Sequence, residues 1–386
     1  MKSIRYILVI VLIGILSFLY TNKIYGQHKF SLDSNTIAAI KDTIDTYYKR
    51  HPYILKPRTN RLKIVPTFGV SYSNEMQFGA IAGFNGYYKN GIDTSSNLSQ
   101  FSLFTQITTN LSVIGNIVGE NYSMQDKFLI NYNIEYARAP RYFWGIGYDN
   151  NIDNSNKSRF LQNSVSAHCE LIYNRENIIQ IGTTIGYDFL LAEDFSNEAL
   201  IENYTKRNSS LDIGVVFNVN TKDSPVFPKR GIYIAIKQHL SSDINFAEKP
   251  FFKTNVIGDF YIPLWEQGVL AFDIAGEFNY GNTYWTNWSL FGGENRMRGY
   301  YQGRFRDKNM ISTQMELRTM FGIHGPVAWI GAGNIFNSFQ QFDIKNTLPT
   351  FGAGYRILLS GVIIRIDIGF GNKGNYGIYA GINQAF

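Results

Sequence analysis

The sequence predicts an all-β fold, a transmembrane antiparallel β-barrel of about sixteen strands, preceded by an N-terminal signal peptide and a short pre-barrel helix. Three observations predict it. Aromatic residues make up 16% of the 386 residues, with 26 Tyr and 29 Phe, which suits lipid-facing strands flanked by interfacial girdles. From Arg61 onward, apolar and polar side chains alternate in segments separated by Gly, Asn, Asp and Ser clusters. The long connections between those segments all fall on one side of the strand count.

Composition excludes other classes. Mean hydropathy is slightly negative, and helical membrane bundles need several long apolar runs instead. The net charge is +6, but Lys2, Arg5 and Lys23 supply three of those charges before residue 27, leaving +3 beyond it. A nucleic-acid-binding stripe is therefore not expected. The single cysteine, Cys169, excludes an internal disulfide and a lipidated leader.

Residues 1–26 read as a signal peptide. Lys2 and Arg5 start it, Tyr6 to Tyr20 form its apolar stretch, and Gly26 precedes a cut at Gln27. The stretch has 15 residues, against roughly 20 for a spanning helix. That favours a leader over a retained anchor. Residues 27–61 read as a short periplasmic segment. Asp33 or Ser34 can cap a helix there, Ile37, Ile40, Ile44 and Tyr47 recur at helical spacing, and Pro52 stops it. It is a tether against the barrel or a plug within it.

Residues 62–386 are the barrel. Strands are expected near 62–72, 77–89, 98–109, 111–118, 124–137, 159–174, 178–190, 208–220, 230–241, 250–263, 268–281, 309–321, 326–336, 350–359, 361–370 and 376–386. In 309–321, Ile311, Met315, Leu317 and Phe321 fall on one face, and Ser312, Gln314, Glu316 and Arg318 on the other. In 361–370, Val362, Ile364, Ile366, Ile368 and Phe370 oppose Arg365 and Asp367. The long connections 138–158, 190–207, 282–308 and 337–349 all follow odd-numbered strands, as expected where one rim carries short turns and the other long loops. The last strand is expected to run to Phe386, with Tyr376, Ile378, Ala380, Ile382, Gln384 and Phe386 on one face.

Connection 282–308 contains Arg296-Met297-Arg298-Gly299-Tyr300. This resembles the Arg-Gly-aromatic motif in the sixth external loop of the BamA, TamA and two-partner-secretion barrels, the Omp85 family. Phe291-Gly292-Gly293, Glu316-Leu317-Arg318, Gly331-Ala332-Gly333-Asn334 and Ile364-Arg365-Ile366-Asp367 are also similar to that family. So is the turn from Asp223-Ser224-Pro225 through Phe227-Pro228-Lys229-Arg230-Gly231. The terminal aromatic strand resembles the family's β-signal; Gly381 fits it and Gln384 departs from it. The resemblance is strongest over 223–386. Gly331 departs too, standing where many members carry an acid. Residues 27–61 are too few for the family's periplasmic POTRA domains, since chains below about 40 residues rarely form a core unaided.

The resemblance implies a sixth loop, carrying Met297, Arg298, Gly299 and Tyr300, folded into the lumen. A buried arginine there needs a carboxylate. Strand parity puts Asp367, Glu316, Asp273 and Glu277 on the lumenal face, and the resemblance favours Asp367, with Glu316 next. A second implied site is the seam between first and last strands. Gly377 and Gly381 either weaken it as a gate or make room for lumenal side chains.

Other signals carry no chemistry. Gly369, Gly371 and Gly374 match G-x-G-x-x-G without a following helix. His28, His51, His168, His239 and His324 show no metal-ligand spacing. His168 and Cys169 are strand neighbours that face opposite sides. No G-x-S-x-G elbow occurs. No enzyme activity, cofactor or metal is expected. The implied function is accessory work in outer-membrane protein assembly or protein translocation, in the bacterial outer membrane, with lipids and other assembly proteins as partners. The alternatives are a plugged scaffold barrel or a passive pore.

Overall fold

Period-two alternation sends successive side chains to opposite faces of a strand, and here it closes into a cylinder. The computed structural model describes residues 62–386, except 74–75, 90–96, 124–125, 176–177, 225–226, 245–249 and 360–361. The leader expected over 1–26 and the segment over 27–61 lie outside the described residues.

The first strands are β1 (Lys63–Ser73), β2 (Gln77–Tyr88), β3 (Ser99–Thr108), β4 (Val113–Ser123), β5 (Phe128–Phe143) and β6 (Ser158–Arg175). There follow β7 (Ile179–Glu193), β8 (Arg207–Asn220), β9 (Gly231–Asp243), β10 (Phe251–Trp265) and β11 (Gly268–Tyr280). Two short strands, β12 (Ser289–Phe291) and β13 (Phe305–Asp307), precede β14 (Asn309–Thr319), β15 (His324–Phe336), β16 (Leu348–Leu359), β17 (Val362–Gly371) and β18 (Tyr376–Ile382). Sixteen of them form one closed antiparallel barrel, in which β11 pairs with β14 and β1 closes on β18. The remaining two, β12 and β13, form a ribbon inside the connection between β11 and β14.

The outer wall is apolar. Ile179, Ile181 and Ile185 of β7 and Leu211, Ile213, Val215 and Phe217 of β8 all point outward and are exposed. A continuous apolar surface of this kind on every side is a belt for hydrocarbon. Their inward neighbours Thr184, Ser210, Asp212 and Asn218 are polar and buried. No described helix is long and apolar enough to cross a membrane; the strands do the spanning.

Besides the ribbon strands β12 and β13, which were not expected, the strands differ most from expectation in three places. β5 and β6 pair on through Arg138↔Asn163 to Phe143↔Ser158, so the connection between them shrinks to 144–157. β4 runs to Ser123, paired with Phe128, because ladder hydrogen bonds carry it past the weakly alternating Gly119-Glu120-Asn121. The closing strand stops at Ile382, short of Phe386. Asn383 takes φ 66°, a left-handed turn that Asn tolerates, and the chain then leaves the wall. Tyr376 and Ile378 face outward, but Gln384 and Phe386 meet the lumenal Arg356 and Arg318, so the six residues do not share a face. Among the described residues, β1 and β18 share one paired position, Tyr72↔Ala380, whereas β1 and β2 are paired from Lys63↔Tyr87 to Ser73↔Gln77.

Candidate functional site

The connection from β11 to β14 turns inward and fills one side of the lumen. Its ribbon pairs Ser289↔Asp307, Leu290↔Arg306 and Phe291↔Phe305. Phe291, Met297, Tyr300 and Phe305 cluster with Met310, Ile335 and Leu348 of the wall. Burying each such large apolar side chain stabilises by roughly 1.5–3 kcal/mol. The ribbon's outer end is roofed by 144–157, which carries the short helix α1 (Tyr148–Ile152). Arg306 N–H donates to Asn151 Oδ1 at 2.8 Å, and Arg304 Nη2 to Asn154 Oδ1 at 2.7 Å.

The ribbon's tip meets β17 through backbone. Gly299 has φ 114°, and a Cβ there would lie 2.6 Å from the Phe370 carbonyl carbon. Only glycine combines that backbone conformation with so close an approach. Around this contact the tip is fixed by polar groups of the wall. Gly299 N–H donates to Tyr379 Oη at 3.0 Å, and Met297 N–H to Gln314 Oε1 at 3.1 Å. Tyr300 Oη donates to Pro349 O at 2.6 Å and accepts from Asn372 N–H at 2.7 Å. Thr350 Oγ1 donates to Arg298 O.

Arg298 is fully buried. Its Nη1 donates to Asp367 Oδ2 at 2.7 Å and its Nη2 to Glu316 Oε2. The guanidinium carbon lies 3.6 Å from the centre of the Trp329 ring, a cation–π contact that desolvation strengthens. Both acids serve other arginines. Arg318 Nε donates to Glu316 Oε1 at 2.7 Å, and Arg356 Nη1 to Asp367 Oδ1 at 2.5 Å. Arg365 Nη1 stands 3.9 Å from Asp367, but donates to Glu294 O at 3.0 Å while its Nη2 donates to Asn295 Oδ1 at 2.7 Å. Arg296 takes a different acid, Asp273, through Nε at 2.7 and 2.8 Å. The site is thus a cage of guanidinium forks closed around Glu316 and Asp367. Burying such charges is tolerable only because each finds a partner and further hydrogen bonds.

The tail of the chain joins the cage. Arg318 Nη2 donates to Phe386 O at 2.9 Å, with its guanidinium carbon 4.6 Å from the Phe386 ring centre. Arg356 Nε donates to Gln384 Oε1 at 2.9 Å. Phe386 packs against the buried Tyr261, Val269 and Ala271.

The structure brings Met297, Arg298, Gly299, Tyr300, Glu316 and Asp367 together, while Asp273 binds Arg296 and Glu277 lines a separate cavity across the lumen. Gly377 and Gly381 are on β18 with lumenal neighbours. A Cβ at Gly377 would lie 2.2 Å from Tyr379 Oη, and one at Gly381 3.1 Å from Arg365 Nε. Arg356, Trp329, Tyr379 and Thr350 were not expected in the site. Parity places Arg318 and Arg365 inward, but nothing local in the sequence shows that they gather around the acids of Arg298.

Over residues 110–386 the sequence matches the Omp85 superfamily domain. BamA from Haemophilus ducreyi lacking POTRA domains 1–3 has a similar structure, with a TM-score of 0.58 at 14% identity, covering 84% of this chain and 70% of that chain. CdiB from Acinetobacter baumannii gives a TM-score of 0.56 at 11% identity, covering 84% of this chain and 60% of that one. CdiB from Escherichia coli gives 0.58 at 12%, covering 85% and 63%. At these identities the likeness is one of fold. No curated protein matches by sequence. The domain match spans most of the chain and the barrel has the same architecture as those structures, so this chain belongs to the Omp85 superfamily.

Proposed function

We propose that this protein works in the bacterial outer membrane as an accessory barrel in protein assembly or translocation, together with other outer-membrane or periplasmic assembly proteins. The observation that carries the reading is the Arg298 cage, in which one loop is locked into the lumen by Glu316 and Asp367. A passive pore has no need of a buried ion-pair network fixing a plug. That β1 and β18 share one paired position among the described residues supports the seam as the place where a client strand would enter. In the same reading residues 1–26 are a leader removed on export, and 27–61 are a periplasmic segment ahead of the barrel. Depletion of the protein, followed by quantitative profiling of outer-membrane and surface proteins, tests the role. A fall in a subset of barrels or exported proteins is expected, and an unchanged profile contradicts it.

A second reading is a plugged scaffold barrel, favoured by how completely the tip is fixed. Planar-bilayer recording separates it from a pore: near silence fits a plug, and a large steady conductance fits an open channel. Affinity purification from cross-linked membranes then separates scaffold from assembly factor by what co-purifies.

A further inference from the structure

The connection 337–347 between β15 and β16 folds down onto the outside of the wall. Its anchor is Phe339, whose ring stacks on Phe278 at 5.6 Å between centroids and tilts against Phe336 at 5.3 Å. Phe278 shares its strand face with the exposed Ile274 and Tyr280, and Phe336 shares its face with the exposed Ile330. Phe339 therefore reaches across the outer side of β14, the strand between them. Phe342 packs edge-on against Phe336 at 5.4 Å. We infer that this connection is a membrane-interface element that sets Phe339, Phe342 and Ile344 into the acyl chains of the outer leaflet. The inference goes beyond the assembly role and rests only on the reading of the wall as membrane-spanning.

Two asparagines hold the connection in this position. Asn309 stands opposite Phe336, and Asn334 opposite the exposed Ile311. Both therefore point out of the barrel, yet both are buried. A polar side chain turned toward hydrocarbon is costly unless it is hydrogen-bonded. Asn309 Nδ2 donates to Phe336 O at 3.1 Å and to Asn337 O at 2.9 Å, and its Oδ1 accepts from Asn279 N–H at 3.0 Å. Asn334 Nδ2 donates to Asp343 O at 2.8 Å. The start and the middle of the connection are thus tied to the outer wall, and the connection in turn screens the two asparagines from lipid.

What the connection presents outward identifies its occupant. Phe339, Phe342 and Ile344 remain 58%, 42% and 71% exposed, a poor arrangement for water. Below them on the same wall, Ile311, Ile330 and Phe351 are exposed as well, so the apolar surface runs from the hydrocarbon belt onto the connection. Gln340, Gln341 and Lys345 are interleaved with the apolar residues and are exposed too. Such interleaving suits the boundary between headgroups and acyl chains, where a lysine lays its stem along the chains and keeps its charge among the headgroups. The buried centre of a protein–protein interface is, by contrast, depleted of lysine.

The test uses the whole barrel carrying Cys169→Ser, reconstituted into vesicles of phosphatidylcholine and phosphatidylglycerol. One nitroxide label at a time is attached at Phe342→Cys or Ile344→Cys, at Ile330→Cys on the wall, or at Glu202→Cys in the exposed connection 194–206. All four are exposed positions, and folding of each variant is checked by heat-modifiable mobility on gels. Power-saturation electron paramagnetic resonance then compares collisions with oxygen, which concentrates in acyl chains, and with a nickel chelate, which stays in water. The oxygen-to-nickel ratio at 342 and 344 should approach that at 330 and lie well above that at 202. Adding Asn334→Ala should shift the ratio at 344 toward the value at 202. A ratio at 342 and 344 as low as at 202, with 330 still high, would overturn the inference while leaving the membrane-spanning wall intact. Few collisions with either reagent at 344 would mean that protein covers the patch, and would overturn the lipid assignment equally. A low ratio at 330 itself would overturn the membrane-spanning reading and this inference with it.

Discussion

Gly369 of β17 and Arg298 of the inward loop meet backbone to backbone. A Cβ at Gly369 would lie 2.6 Å from both the carbonyl carbon and the oxygen of Arg298. The arginine thus enters the cage along a track that a side chain at 369 would block. Gly369→Val should expel the tip while leaving the strand pairing of the wall intact. Limited proteolysis of folded protein should then cut within 292–304, where the wild type resists. Unchanged resistance would show that the tip docks without this contact.

The cage is asymmetric in what it can lose. Arg298→Met leaves Glu316 with Arg318 and Asp367 with Arg356, so neither acid is orphaned. Glu316→Gln leaves Arg318 without a carboxylate and Arg298, Arg356 and Arg365 sharing the one carboxylate of Asp367. Breaking a buried pair costs about 3–5 kcal/mol. Glu316→Gln should reach that range, and Arg298→Met should fall below it. Urea unfolding in micelles, followed by tryptophan fluorescence, ranks the two, and the reverse order would refute this assignment of partners.

Asp307 gives the ribbon a pH dependence. Burial pushes its carboxyl up from 3.8 to about 6, against the opposing hydrogen bond from Lys308 N–H. Because the folded value is the higher, its contribution to stability is fully present below about pH 4 and is lost as pH rises through 6. A shift of this size is worth roughly 3 kcal/mol. Asp307→Asn should therefore raise the melting temperature at pH 7.5 and change it little at pH 4. An equal effect at both pH values would mean that the carboxyl titrates normally.

Tyr72 and Ala380 mark the seam. Directly opposed antiparallel positions have Cβ atoms about 4.5–5.5 Å apart, close to what a disulfide spans. With Cys169→Ser to remove the native thiol, Tyr72→Cys with Ala380→Cys should oxidise to a covalent closure in folded protein. If client strands enter here, the locked barrel fails to complement a depleted strain until reductant is added. Full complementation by the locked form excludes a seam route.

The family motif and the alternating pattern make much of this protein legible in its sequence. Strand alternation over 309–321 and 361–370 sorts hydrocarbon from lumen because side-chain direction in a strand is a local property of the backbone, with a period of two. The strand number follows from the same property, since each segment and its turn consume a near-constant length. Arg298 was readable because Arg296-Met297-Arg298-Gly299-Tyr300 is contiguous.

Only the tertiary structure decided which charges share the lumen. Glu316 and Asp367 are 51 positions apart in the chain, and their guanidinium partners come from one loop and three further positions on the wall. The inward turn at Asn383 was hidden, because a strand's end is set by whether a neighbour continues the ladder. The lumenal side chains of His168, Asp188, Asp212 and His239 pair with one another, yet they show no local spacing at all. Four adjacent strands bring them together, and sequence distance along a hairpin wall carries no information about distance across its ladder until the register is fixed.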